Sequence, residues 1–180
     1  IDGHKYAIDM VRQVAEMNKG HYLDTNIENG EKSDFCIGIA GYPEKHFESP
    51  NFQSDLFHTK AKVDAGSDYI VTQIFFDNES YFKYLDYCAA SDINVPIVPG
   101  LKPITKKYQL NSLPRLFHVN LPDAFTKEFD KAKTPEAVKE VGIEWCIEQS
   151  KELKKKGVPC LHYYTMGDPE TIKRIAEAVF

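Results

Sequence analysis

The sequence predicts an α/β chain built on a parallel sheet, and three observations carry that expectation. Two short apolar runs, Phe35–Ala40 and Tyr69–Phe76, flank a segment with helical spacing, and each stops in polar or turn-forming residues. Runs this short, bounded by turn signals, read as strands buried on both faces. Strand, helix and strand in that order make a parallel βαβ unit. The same period then recurs, giving a leading helix followed by four strand–helix units. Four such strands could make an open flavodoxin-like sheet or half of an eight-stranded barrel. The glycine-rich phosphate loops GxGxxG and GxxxxGK[ST] are absent after every strand, which weighs against a nucleotide-binding open sheet and favours half a barrel.

Each element has its own signal. Tyr6, Ala7, Met10, Val11, Val14 and Met17 recur at helical spacing and Gly20 supplies a stop, predicting a helix over 5–19. The stretch 24–34 is a polar loop, and the first strand covers 35–40. Ser49 followed by Pro50 reads as an N-cap with proline in the first turn, opening a helix that ends at Ala65-Gly66. The strand 69–76 leads to Asp77-Asn78, a helix start, and a helix over 79–90. Residues 96–101 form the third strand. A long connection follows, with a short helical piece near 106–117 and prolines at 114 and 122. Thr134 and Pro135 open the longest helix, to about Lys156, with Val138, Val141 and Trp145 as its buried stripe and Gly142 marking close packing. The fourth strand is Cys160–Met166, and Asp168-Pro169 caps a final helix over 170–180.

Composition narrows the function classes. A chain of 180 residues holds one ordinary domain, and a net charge of −5 gives no support to nucleic-acid binding. The basic cluster Lys154–Lys156 ends a predicted helix, where it complements the dipole. No apolar run approaches the roughly 18 residues of a membrane span, so no membrane partner is expected. Cys36, Cys88, Cys146 and Cys160 are scattered without CxxC pairing, and read as buried free thiols in a reducing, cytoplasmic setting. The six histidines lack metal-ligand spacing, and His4, His21 and His118 read as solvated or structural. The chain lacks an initiator methionine and begins close to a helix, an arrangement expected of a fragment.

Ligands of parallel α/β folds sit at the C-terminal ends of strands, which singles out Tyr42, Glu44 and His46 after the first strand and Gln73 and Asp77 near the end of the second. Asp55, His58 and Lys62 fall at i, i+3 and i+7 of a predicted helix and share one face. Spacing alone favours a solvated outer face; the functional alternative is a polar edge in which Lys62 meets a phosphate. By the same standard Gln73 is a satisfied polar strand residue and Tyr164 packs in the core.

Five motifs shift that balance. Ala40-Gly-Tyr-Pro-Glu-Lys-His46, Lys62-Val-Asp-Ala-Gly66, Thr72-Gln-Ile-Phe-Phe-Asp77, Pro96-Ile-Val-Pro-Gly-Leu-Lys-Pro103 and Leu161-His-Tyr-Tyr-Thr-Met166 occur in this order at family-like spacing. In them the chain resembles the methylenetetrahydrofolate reductase family. The resemblance implies the C-terminal half of a (β/α)8 TIM-type barrel, with the leading helix as the fourth, the four strands as the fifth to eighth, and the helices as the fourth to eighth. It implies an FAD-dependent enzyme that carries hydride from NADH or NADPH to 5,10-methylenetetrahydrofolate, giving 5-methyltetrahydrofolate for one-carbon metabolism and methionine biosynthesis. Tyr42, His46, Asp55, His58 and Lys62 would then line the FAD, with Ala7 near its adenine end. Gln73 would contact nicotinamide and pterin, an amide suiting the role because it both donates and accepts. Gln109 and Tyr164 match folate-side positions.

Departures accompany the match. Leu113 stands where some members carry a substrate-packing phenylalanine, Gly167-Asp168 where many have Asn-Arg, and Ala61 where some have an FAD-side arginine. The family's glutamate acid comes from the first strand and its flavin-side aspartate follows the fourth, so the N-terminal half is the expected partner and no catalytic residue is assigned here. Glu44 reads as a rim residue rather than a substitute acid. Half a barrel exposes two strand edges, so self-association of these 180 residues alone is expected. A homo-oligomer, and the choice between NADH and NADPH, stay open. Two further readings remain: a non-catalytic half-barrel subunit that binds folate or flavin, and a different barrel enzyme with a phosphate-bearing substrate.

Overall fold

A computed structural model describes residues 3–24 and 26–180, so Thr25 of the predicted 24–34 loop lies outside the described residues. The element order is α1 (Ala7–Met17), β1 (Gly38–Gly41), α2 (Phe52–Asp64), β2 (Tyr69–Ile74), α3 (Asn78–Ala90), β3 (Ile97–Leu101), α4 (Gln109–Phe117), α5 (Asp123–Lys131), α6 (Pro135–Lys155), β4 (His162–Tyr163) and α7 (Pro169–Val179). The four strands form one parallel sheet in the order β1-β2-β3-β4. A flavodoxin-like sheet would place its first strand inside the order, so that alternative falls. Successive strands that lie side by side, joined by right-handed crossovers, carry their helices on one face.

Burial follows from that arrangement. Ile39, Ile70 and Ile97 are register partners on the helix-covered face, and Ile39 and Ile70 pack with Val11, Leu56, Tyr84 and Cys88 from α1, α2 and α3. Further along the sheet, Phe75 and Leu101 pack with Tyr81, Ile143, Cys146, Leu153 and Ile175. On the opposite face Ala40, Val71 and Val98 lie in register, and none of them is buried. The strands are therefore not covered on both faces as their sequences predict. The apolar runs are real, but no layer among the described residues packs on the second face.

The helix boundaries show which local signals decide. The α2 cap is Asn51, whose side chain accepts from the Ser54 N–H at 2.9 Å, not Ser49. The Ser49 hydroxyl instead donates to the Asp55 carboxylate at 3.3 Å, which removes it as a cap. Gly66 ends the same helix with φ +117, a conformation that L side chains rarely adopt. Asp77, Thr134 and Asp168 cap α3, α6 and α7 as their sequences predict, accepting from Glu79, Ala137 and Thr171 N–H groups at 3.0, 3.2 and 3.2 Å.

Two parts of the chain differ from expectation. The connection after β3 holds two helices: α4 contains Pro114, and α5 buries Phe125 and Phe129, with Phe125 stacked on Trp145 at 4.4 Å. Only two apolar residues, one turn apart, carry α5, too few to show a period. The fourth strand shrinks to His162–Tyr163, since only these residues find ladder partners in β3. All four cysteines are free, but only Cys88 and Cys146 are buried. Burial pushes the Cys88 thiol up to about 11 and Cys146 to about 12. Cys36 and Cys160 precede their strands rather than lying in them, and are exposed. Of the three histidines without an expected partner, His4 meets Gln13, His21 meets Glu16 at 2.7 Å, and His118 stacks on Phe47 at 4.7 Å.

Gly142 is buried in α6 where a Cβ would stand 1.6 Å from the Ile104 carbonyl oxygen. Replacing a helix-interior glycine by alanine ordinarily gains up to about 1 kcal/mol. Here overpacking wins, and Gly142→Ala is expected to destabilise by roughly 1–3 kcal/mol, read as a lowered urea midpoint. An unchanged or raised midpoint would show that α6 can lift off Ile104 without cost.

Candidate functional site

The polar residues gather at and beside the C-terminal ends of the strands. A groove of about 510 Å3 runs along the outer edge of β1, walled by α1 and lined by Ala7, Met10, Val14, Ile39, Tyr42 and Lys62 among others. Three residues that the family resemblance would put around a cofactor, Ala7, Tyr42 and Lys62, therefore line one groove. Lys62 reaches it from the last turn of α2 and donates to the Ala40 carbonyl at 3.2 Å. That carbonyl belongs to an edge strand, so the ammonium stands at the outer margin of the sheet. Burial pushes the Lys62 amine down, and the charge of Asp55 partly restores it. Burial first, and then the Asp55 carboxylate, push the Tyr42 phenol up.

Asp55 and His46 have a different job from Lys62. Asp55 is 6% exposed, and its carboxylate accepts from the His46 N–H at 3.0 Å and from the Ser49 hydroxyl. It thereby ties the loop after β1 to the first turn of α2. The His46 ring meets Tyr42 edge-on at 4.5 Å, and its Nδ1 accepts from the Glu48 N–H at 3.3 Å. His58 is exposed, with Phe57 as its aromatic neighbour. Of the shared face predicted for Asp55, His58 and Lys62, only Lys62 lines the groove, since the Asp55 carboxylate is engaged by the loop and His58 is exposed outside the lining.

Gln73 lies at the end of β2 beside a register shift between Val71 and Ile74. Irregularities of this kind redirect side chains at strand ends. Its Oε1 accepts from the Ile74 N–H at 2.9 Å. The gap bounded by Tyr42, Gln73 and the Phe117–Val119 segment is about 10 Å3, too little for a water molecule with room to spare. Glu44 explains the closure: its carboxylate accepts from the Asn120 backbone and side-chain N–H groups at 2.6 and 2.8 Å. Burial pushes the Glu44 carboxyl up, and the two Asn120 bonds pull it back. Glu44 is thus a tether for the segment after α4 and not a free acid.

Tyr164 donates its hydroxyl to the Thr72 carbonyl at 3.1 Å, while Thr72 Oγ1 accepts from the Gly100 N–H at 2.9 Å. These bonds stitch β2, β3 and the end of β4 where the ladder is irregular. Gln109 spends its Oε1 on the Thr105 and Lys106 N–H groups, at 2.7 and 3.0 Å, and so braces the loop before α4. It lines a second cavity, of about 530 Å3, with Leu113 and Asp168. Sequence reasoning passed over two residues here. The Glu44–Asn120 contact joins distant positions without a motif, and Lys102 looks like one more lysine after a strand.

Parallel strands with polar side chains gathered at their C-terminal ends define an α/β fold of the kind that places ligand sites at that end. The profile of the family described as methylenetetrahydrofolate reductase matches residues 1–179. Methylenetetrahydrofolate reductase 1 of Schizosaccharomyces pombe is 35% identical over 176 residues, covering 97% of this chain and 27% of that protein. The 5,10-methylenetetrahydrofolate reductase of Pectobacterium carotovorum subsp. carotovorum is 40% identical over 141 residues, covering 78% and 47%. A solved structure titled as an uncharacterized protein from Clostridium thermocellum that binds two copies of 5-methyl-5,6,7,8-tetrahydrofolic acid shares the fold. Its TM-score is 0.55 at 18% identity, over 81% of this chain and 53% of that one. The chain belongs to the methylenetetrahydrofolate reductase family. It spans between about a quarter and a half of the length of these curated relatives.

Asp55→Ala leaves the half-buried His46 N–H without its acceptor. In the ligand-free protein it is expected to cost roughly 1–3 kcal/mol and to open the 42–50 loop to proteolysis. Unchanged stability, with loss confined to ligand binding, would reassign Asp55 as a ligand contact.

Proposed function

We propose that this chain is the C-terminal half of a (β/α)8 barrel whose whole carries hydride from NADH or NADPH to 5,10-methylenetetrahydrofolate by way of FAD, and that it does not catalyse alone. The observation that carries the proposal is the groove along β1, where Ala7, Tyr42 and Lys62 converge. Family membership supports the reaction class. The parallel order β1-β2-β3-β4 supports the barrel, because successive barrel strands are neighbours.

The residues fit the cofactor. An apolar wall from α1 and β1 suits a flat ring system, and Lys62 supplies a positive charge for a pyrophosphate. Tyr42 offers a phenol as a donor or stacking partner. When bound, FAD accepts and passes on hydride, so the chain's own residues need only hold and orient the reactants. Lys62 anchors by charge. Asp55 fixes the loop that carries Tyr42 and His46, and His58 lies outside the cluster. Gln73 offers a carboxamide to the reactants at the β2 end, and its Nε2 is the group left to donate once Oε1 has accepted from Ile74. Tyr164, bonded through its hydroxyl to β2, shapes the substrate side with its ring.

Opening the imidazolidine ring needs a positioned proton donor. Glu44 is tethered to Asn120 and Asp55 to the His46 loop, so neither supplies it. The donor is assigned to the preceding half of the barrel. The full-length protein carrying this chain is expected to purify with, or reconstitute to, a yellow flavin-bound form that oxidises NADH or NADPH and then reduces the folate. Lys62→Ala is expected to weaken FAD at least about tenfold while leaving folate-side residues intact. A full-length protein that stays colourless after incubation with FAD would overturn the proposal.

A further inference from the structure

Lys102 follows β3, and only 8% of the residue is exposed. Among the described residues its ammonium donates to no acceptor and lies within ion-pair distance of no carboxylate. The stem is buried while the ammonium reaches the cavity, and a partly desolvated charge without a partner gains from meeting an anion. Lys102 lines the 530 Å3 cavity at the ends of β3 and β4, and Asp168 is the one carboxylate in that lining. Asp168 is already committed: it accepts from the Thr171 hydroxyl at 2.7 Å and pairs with Lys139 at 3.3 Å. Its charge reaches Lys102 across the cavity and offsets part of the downward push that burial gives the amine.

The rest of the lining says what would complete the pair. Gln109 has spent its Oε1 on two backbone N–H groups, which leaves its amide nitrogen as a donor. Leu113, Leu116 and Phe117 make an apolar wall beside it. The cavity thus offers an apolar wall, a donor for a carbonyl and a partly desolvated cation. On the β4 side Gly167-Asp168 supplies no cation. We infer that Lys102 is the anion-recognition residue of this cavity and binds a carboxylate carried on an aromatic amide, as in the aminobenzoyl-glutamate part of a folate. This rests on the folate reading above for its natural ligand, and on the cavity alone for its chemistry. A charge-assisted bond from a partly desolvated ammonium is among the stronger polar contacts, so one residue can set the preference.

The test uses the full-length protein and p-aminobenzoyl-L-glutamate as the probe, with p-aminobenzamide as the version lacking carboxylates. Calorimetric titration is expected to show tighter binding of the glutamate conjugate. Lys102→Met should weaken that binding about tenfold or more and leave the amide unchanged, and Lys102→Arg should restore it to within about threefold. Equal binding of both probes to the unsubstituted protein, or a Lys102→Met variant that keeps the preference, would overturn the inference. Bound flavin, read from the visible spectrum, shows that each variant folds. A protein that lacks flavin and does not reduce folate, yet keeps the Lys102-dependent preference, would overturn the reductase reading and leave the anion site standing. A working reductase with no such preference would overturn this inference alone.

Discussion

Ile39, Ile70 and Ile97 stand in register across three parallel strands, and helices cover the face they share. The rest of the structure depends on that one-sided cover. It fixes the strand order, directs α2 and α3 to the same side, and leaves Ala40, Val71 and Val98 facing a side with no packing layer among the described residues. It also makes β1 an edge strand, and the α1–β1 groove follows that edge. A parallel sheet open on one face is uncommon, since parallel sheets are ordinarily covered on both. The barrel proposed above removes the anomaly, because the open face becomes the interior and the β1 edge meets the strand before it.

The candidate site divides into parts that hold the scaffold and parts left free for ligand. Asp55, Glu44 and Tyr164 have polar atoms engaged by the chain itself, Asp55 within its own loop and helix, Glu44 and Tyr164 across elements distant in sequence. Lys62, Tyr42 and Lys102 keep charge or hydroxyl groups at cavities. An engaged carboxylate positions a loop. A partly desolvated lysine with no carboxylate partner among the described residues, such as Lys102, suits an anion. That contrast separates positioning residues from binding residues more cleanly than membership of a motif does.

Much of this was legible in the sequence, for local reasons. Asp77, Thr134 and Asp168 announce helix starts because capping acts over a few residues, and Gly142 announces a close approach because nothing larger fits against Ile104. The motifs carried the family, and with it the expectation that Ala7, Tyr42 and Lys62 act together, three residues that line one groove. What stayed hidden is non-local. Ser49 lost its cap role to Asn51 because Asp55 claimed its hydroxyl, and β4 shrank because pairing depends on β3. The α5 helix rests on Phe125, which meets Trp145 and Phe76 and carries Phe129 beside it, and the two distant partners lie in no window of sequence around it. Burial on both faces failed because a strand's apolar character reports that it will be covered, not which residues will cover it.

The barrel account is tested most directly by amide hydrogen exchange at the outer edge of β1 in the full-length protein. The Ile37 carbonyl accepts from Asp68 N–H at 2.8 Å, so alternation points the Gly38 and Ala40 N–H groups away from β2. If a preceding strand pairs with this edge, those two amides exchange as slowly as the β2 amides of Ile70 and Thr72. Exchange at the rate of exposed loop amides, in a folded full-length protein, would contradict the account.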